Sequence, residues 1–237
     1  MNALILSFKR FLSQISKDKM LIIVCLDPIL TGIMFKFGIP ITEDVIANHF
    51  GVSAILSPYY LLFDIVLAMV IPYIFCFVSA MVILEELDSK VAKYMYVTPI
   101  GKTGYLISRL CFPMIISILF SIPILSIFSL TEMSIATIIL LSFFASCIGL
   151  MAALIIVSFS SNKVEGMAYA KFGGIIILGA PIPFFLNGNE QYLGAFMPSF
   201  WISKLSLEFN MFNLIFAVLI SAVWLIILFK RFIIKIV

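Results

Sequence analysis

Charge is scarce in this chain of 237 residues. Asp, Glu, Lys and Arg together make up 11% of it, against about 25% in an average soluble domain. That shortage excludes both a soluble globular protein and a disordered chain, which need far more solvated surface. Histidine occurs once, as His49, which removes most imidazole-based catalysis and any histidine-rich metal site. The four cysteines, Cys25, Cys76, Cys111 and Cys147, fall in four different apolar runs and form no C-x-x-C pair. A disulfide scaffold is therefore excluded, and small apolar packing is their simplest role. No phosphate-binding loop is complete. Gly101-Lys102-Thr103 ends like one, but Tyr96 stands where the earlier glycine belongs and Pro99 interrupts the loop. An intramembrane serine protease fails as well, because Gly51-Val52-Ser53-Ala54, the nearest motif, lies in a loop next to the single histidine. The short alternating strands of a membrane barrel are also missing.

Apolar residues fill the space that charge leaves. They make up 63% of the chain, and mean hydropathy is +1.22. Since about 20 apolar residues cross the hydrocarbon core, the runs predict an all-α polytopic membrane protein with six transmembrane helices in one domain. The expected spans are roughly 20–38, 58–84, 105–130, 134–159, 168–187 and 209–229. The first is no cleavable signal peptide, because it is too long and no small-residue cleavage site follows. All of the 15 Lys and Arg except Lys36 and Lys204 fall on one side of this layout. The positive-inside rule then places 1–19, 85–104, 160–167 and 230–237 in the cytoplasm, with both termini there, in a multi-pass protein of the cell membrane. The small net charge of +3 follows from this topology and gives no reason to expect nucleic acid.

Residues 1–19 form a separate element. Leu4, Phe8, Phe11 or Leu12, and Ile15 recur at helical spacing, while Lys9, Arg10, Ser13, Gln14, Ser16 and Lys17 fill the other face. The pattern predicts an amphipathic helix lying in the inner interface. Charges within spans are rare and mark functional candidates. Here they are Asp27, Lys36 and Asp64. Asp27 precedes Pro28 and has a bland role open to it, bonding backbone groups freed near the proline. Lys36 and Asp64 fall at similar depth and are expected to neutralise each other. Ala145, Gly149 and Ala153 repeat every four residues, as do Gly166, Ala170 and Gly174, which suggests two close helix seams. Pro181 and Pro183 should break or end the fifth span. Residues 187–208, with Phe196, Met197, Phe200, Trp201 and Leu205, suggest a short helix in or dipping into the outer leaflet.

The largest charged island is Glu85 to Gly104. Glu85 and Glu86 suit a helix N-terminus. Val91, Tyr94 and Met95 fall near one helical face, and Thr98-Pro99 ends the helix because the residue before proline leaves the α region. The choice from composition is between a docking element and a solvated loop.

In layout the chain resembles the integral-membrane subunit of a type-2 ABC transporter, the exporter-type permease family. Glu85-Glu86 at the end of span two, a short helix over Val91 to Tyr96, the Val97-Thr98-Pro99-Ile100 step and Tyr105 to Arg109 carry the resemblance, together with Met197-Pro198-Ser199-Phe200-Trp201. One departure is Asp88-Ser89-Lys90, where family members often have a glycine. The resemblance implies a transport subunit and not an enzyme: a permease exporting a drug, lipid or hydrophobic peptide. A separate cytoplasmic ABC ATPase subunit would bind the ATP and Mg, and this chain would bind no cofactor. It implies a second permease chain, identical or related, and ATPase coupling through Glu85, Glu86, Val91, Tyr94, Met95, Thr98 and Pro99. It also implies a substrate path near Met69, Phe75, Phe77, Phe172 and Phe185. The rival classes are an ATP-independent carrier or channel, which should show a polar file or inverted halves, and a lipid-modifying enzyme, which should show clustered Asp, His or Arg at the inner interface.

Overall fold

A computed structural model describes residues 3–51, 54–186 and 188–236. All the regular structure among them is helical. Helix α1 (Ala3–Lys17) is amphipathic and turns into α2 at a single residue, Asp18. The Asp18 carboxylate caps α2 by accepting from the Met20 and Leu21 amides at 2.9 and 3.3 Å.

Helix α2 runs over Lys19–Phe50, twelve residues past its expected end at 38. The expected end falls at Gly38, two residues before Pro40. A wider π turn over Met34–Gly38 re-phases the backbone ahead of the proline, so its missing donor falls in the first turn of the continuing helix, Ile39–Phe50. Gly51, left-handed at φ +66°, ends it.

Helix α3 (Tyr60–Asp88) and helix α6 (Ile135–Phe159) form the buried pair at the centre. The expected seam lies between them. Ala145, Gly149 and Ala153 are buried, and a methyl group on Gly149 would meet the Pro72 carbonyl oxygen at 2.5 Å. A six-residue helix α4 (Val91–Tyr96) follows α3. Helix α5 spans Gly101–Phe128 and carries a π turn at Ile107–Cys111.

The expected fifth span is not one helix. Helix α7 (Lys163–Gly173) gives way to a 3₁₀ segment, Gly174–Gly179, and then to the one-turn helix α8 (Ile182–Phe185). The break comes at the Gly173-Gly174 pair, ahead of Pro181 and Pro183. The seam of α7 shifts with it. Gly166 packs so closely on Leu84 that a methyl would lie 2.3 Å from its Cδ1, whereas Gly174 meets nothing within 4 Å. Five helices among the described residues are long and apolar enough to cross a membrane: α2, α3, α5, α6 and the last helix, α10 (Met211–Ile236).

The 187–208 stretch begins at a residue outside the described set. Its short helix exists as α9 (Pro198–Leu207), with most of its residues buried in the protein. Ser199 donates to the Ile176 carbonyl, Trp201 stacks on Phe216 at 4.7 Å, and Phe200, Ile202 and Leu205 are buried.

The segments expected on the cytoplasmic side meet at one end of the bundle, called here the basic end. Lys163 bonds Asp18 at 2.5 Å and Glu85 at 3.3 Å. Lys235 donates to the Val157 and Ser160 carbonyls, where α6 ends.

Candidate coupling surface

At the basic end the chain buries an arginine. The π turn of α5 brings Arg109 against the last turn of α3, where Glu86 receives it in a two-pronged ion pair. Nη2 bonds Oε1 at 2.6 Å and Nε bonds Oε2 at 2.9 Å. Both side chains are almost fully shielded, at 1% and 2% exposure. The remaining donor, Nη1, reaches α1 through the Ser7 carbonyl at 3.1 Å and the Ser7 hydroxyl at 3.3 Å. Ser7 and Ser108 share a hydrogen bond at 3.0 Å, and Ser79 donates to the Arg109 carbonyl. The guanidinium lies over the rings of Phe11 and Tyr105 at 5.3 and 5.6 Å, and Met95 Sδ is 4.0 Å from Nη2. One planar cation therefore fastens α1, α3, α4 and α5 together. Burial of this kind is tolerable only with every donor occupied.

Helix α4 stands on this fastening. Its inner face, Ala92 and Met95, is buried with Tyr105. Its outer face presents Val91, Tyr94 and, just beyond it, Val97, at 40%, 71% and 85% exposure. Thr98 donates to the Met95 carbonyl at 2.7 Å and closes the turn before Pro99, which is exposed. A groove of about 300 Å³ separates this turn from α1, lined by Leu6, Ser7, Arg10, Met95, Thr98, Pro99 and Ile100.

Two expectations about this segment are corrected. Glu85 and Glu86 do not begin the short helix. They close α3, and Glu86 is turned inward onto Arg109 and buried. Met95 also faces inward and leaves Val91 and Tyr94 to carry the surface with Val97. The cause is the turn between the helices. Lys90 adopts a left-handed backbone at φ +60°, where glycine would be at ease, and sets the phase of α4. Arg109 was not singled out in sequence as a site residue. Its signs in the sequence are its place in the Tyr105 to Arg109 stretch that carries the resemblance and an arginine several residues inside an apolar run.

Glu85 remains partly exposed and shares Lys163 with Asp18. The hydrogen bond from Lys163 holds the Asp18 carboxyl below its ordinary range. Partial burial pushes the Lys163 ammonium down, but the two carboxylates together leave it above its usual value.

The intramembrane charges separate. Lys36 and Asp64 do not bond each other. Both clasp the turn after α5, Asp64 by accepting from the Leu130 and Thr131 amides at 2.8 Å and the Thr131 hydroxyl at 2.6 Å, Lys36 by donating to the Ser129 carbonyl at 2.7 Å. Asp27 sits on the exposed face of α2, while Pro28 points inward. It takes no part in the ion pairs found among the described residues. The expected substrate-path residues do not converge. Met69 is fully buried. Phe75 packs on Phe120 at 5.2 Å, and Phe77 is half-buried. Phe172 is exposed beside Tyr169 at 6.0 Å, while Phe185 stacks on Tyr59 at 5.0 Å.

Long apolar helices around a buried pair, with the ion pairs between helices gathered at one end, describe a multi-pass membrane protein. The family described as "Fluoroquinolones export permease protein Rv2686c-like" matches residues 11–232, and the chain belongs to that family of export permeases. Two curated relatives from Mycobacterium tuberculosis are each 20% identical over 196 residues, covering 79% of this chain and 75% of their own. They are the fluoroquinolones export permease protein MT2760 of strain CDC 1551 / Oshkosh and the fluoroquinolones export permease protein Rv2686c of strain ATCC 25618 / H37Rv. No solved structure matches the chain.

Proposed function

We propose that the chain is the membrane-spanning half of an ATP-driven exporter, coupled through α4 to an ATPase on a separate cytoplasmic chain that binds the ATP and Mg. The observation that carries this reading is the small apolar and aromatic surface of Val91, Tyr94 and Val97, left exposed on a helix whose other face rests through Met95 on Arg109, the partner of Glu86. A lone hydrophobic helix face on a rigid support is how one protein grips the groove of another. Displacement of α4 would pass through the ion pair to α1, α3 and α5 together. The basic end is then cytoplasmic, and two such chains, identical or related, pair around the transport path. The substrate is an amphiphile. The relatives' names point to fluoroquinolones, and Asp27 offers the membrane face of α2 a counter-ion for a cationic group.

The test is co-purification and transport. Tyr94→Ala with Val97→Ala should leave the permease inserted and as heat-stable as wild type. ATPase co-purification and vanadate-sensitive drug export should fall together. Normal ATPase binding and transport by a chain carrying Gly and Ser at 91, 94 and 97 overturns the reading. A cysteine at Asn189 should label from outside intact cells and one at Ser161 only after permeabilisation.

A further inference from the structure

An apolar cavity of about 330 Å³ lies beneath α1. Phe8, Phe11 and Ile15 of α1 roof it, and Cys25 of α2, Phe75 of α3 and Phe120 of α5 form walls and floor. Its lining carries no charged group and no hydroxyl or amide side chain. A polar occupant would find nothing to bond, so hydrocarbon is the chemistry it accepts. The roof has a second character. Lys9, Arg10 and Lys17 are exposed on α1, and the segment Ala3–Lys17 contains no acidic residue. A basic amphipathic helix over a hydrocarbon slot matches a molecule with an anionic head and an apolar chain.

We infer that this cavity is a binding site for one acyl chain of an anionic phospholipid, whose phosphate rests against the basic face of α1. The site has a mechanical consequence. Phe11 lines the cavity and also carries the Arg109 guanidinium at 5.3 Å. An acyl chain in place supports Phe11 from below and so steadies the fastening of α1 to the Glu86 ion pair. The site does not depend on the ATPase coupling proposed above, and its test requires no ATPase.

The full chain, purified in detergent, is titrated with phosphatidylglycerol and with phosphatidylcholine and followed by native mass spectrometry. Saturable binding of a single phosphatidylglycerol per chain is expected, with phosphatidylcholine roughly fivefold weaker or more. Cys25→Phe and Ile116→Trp, at two positions that line the cavity, fill it and should each weaken phosphatidylglycerol by about tenfold. Val223→Phe, on the exposed face of α10, should leave it unchanged. A readout that needs no filled cavity is the thiol itself. In a Cys111→Ser background, phosphatidylglycerol should slow modification of Cys25 by N-ethylmaleimide. Unchanged affinity in both filled variants, equal affinity for the two lipids, or no protection of Cys25 overturns the site. Displacement of phosphatidylglycerol by a fluoroquinolone overturns it too, since the cavity would then belong to the transported drug.

Discussion

The two ends of the bundle solve one problem in opposite ways. At the far end, charged side chains hold backbone. Glu43 accepts from the Ile55 and Leu56 amides at 2.7 and 2.8 Å, and Asp64 and Lys36 clasp the turn at residues 129–131. Each clasp stiffens one loop. At the basic end Lys235 also holds backbone, but there charge meets charge as well, across elements far apart in sequence, Arg109 with Glu86 and Lys163 with Asp18 and Glu85. A loop clasp makes an end rigid, whereas an ion pair between helices makes separate helices move as a unit. The difference places braced loops at one end and helices tied to one another at the other.

The largest effect expected from breaking this contrast is at Glu86. Glu86→Ala leaves Arg109 buried without its counter-ion and should cost about 3–5 kcal/mol, read as lost heat stability in detergent. Glu86→Ala with Arg109→Met should recover most of that stability, because no buried charge is then orphaned. Equal losses in the single and double variants would show that the pair is not the fastening.

Asp64→Ala comes next. It strips the Leu130 and Thr131 amides of their acceptor and should cost about 2–3 kcal/mol. Adding Lys36→Met should make matters worse, since the two residues hold the same turn without bonding each other. A double variant milder than Asp64→Ala alone would reinstate a direct pair.

A smaller effect is set by pH. Because the folded Asp18 carboxyl lies below its ordinary value, its contribution is present above roughly pH 4 and fades as pH falls through the lowered value. With both partners about a quarter exposed, that contribution is about 1 kcal/mol or less. The stability gap between wild type and Lys163→Gln should be open at neutral pH and close in acid. A gap that persists in acid would assign it to packing. The smallest change is a gain. Lys90→Gly relieves the left-handed backbone before α4 and should stabilise by about 1 kcal/mol.

Much of this molecule was legible in its sequence, for identifiable reasons. Apolar length marks a span wherever the helix is continuous, so 134–159 agrees with Ile135–Phe159 to a residue. Length fails where backbone geometry absorbs a stop signal, as the π turn does before Pro40, or inserts one, as Gly173-Gly174 does ahead of the prolines. The short helix after α3 was legible because Thr98-Pro99 is a local signal. Which of its faces is buried was not, since Lys90, where a glycine is common, sets the phase. The ion pair at Arg109 was illegible for a different reason. Its partners Glu86 and Ser7 stand 23 and 102 residues away, and no periodicity reports a contact of that range.

That separation also orders the birth of the protein. Helix α1 is the first of these helices to leave the ribosome, yet the side chains that hold it, Ser108 and Arg109, are made about a hundred residues later. Through the synthesis of α2, α3 and α4 it has only apolar packing on α2 and α3 to hold it. Its polar fastening can form only when the start of α5 emerges, so α1 acts as a seal on the first half of the chain, locked after the helices beneath it are in place.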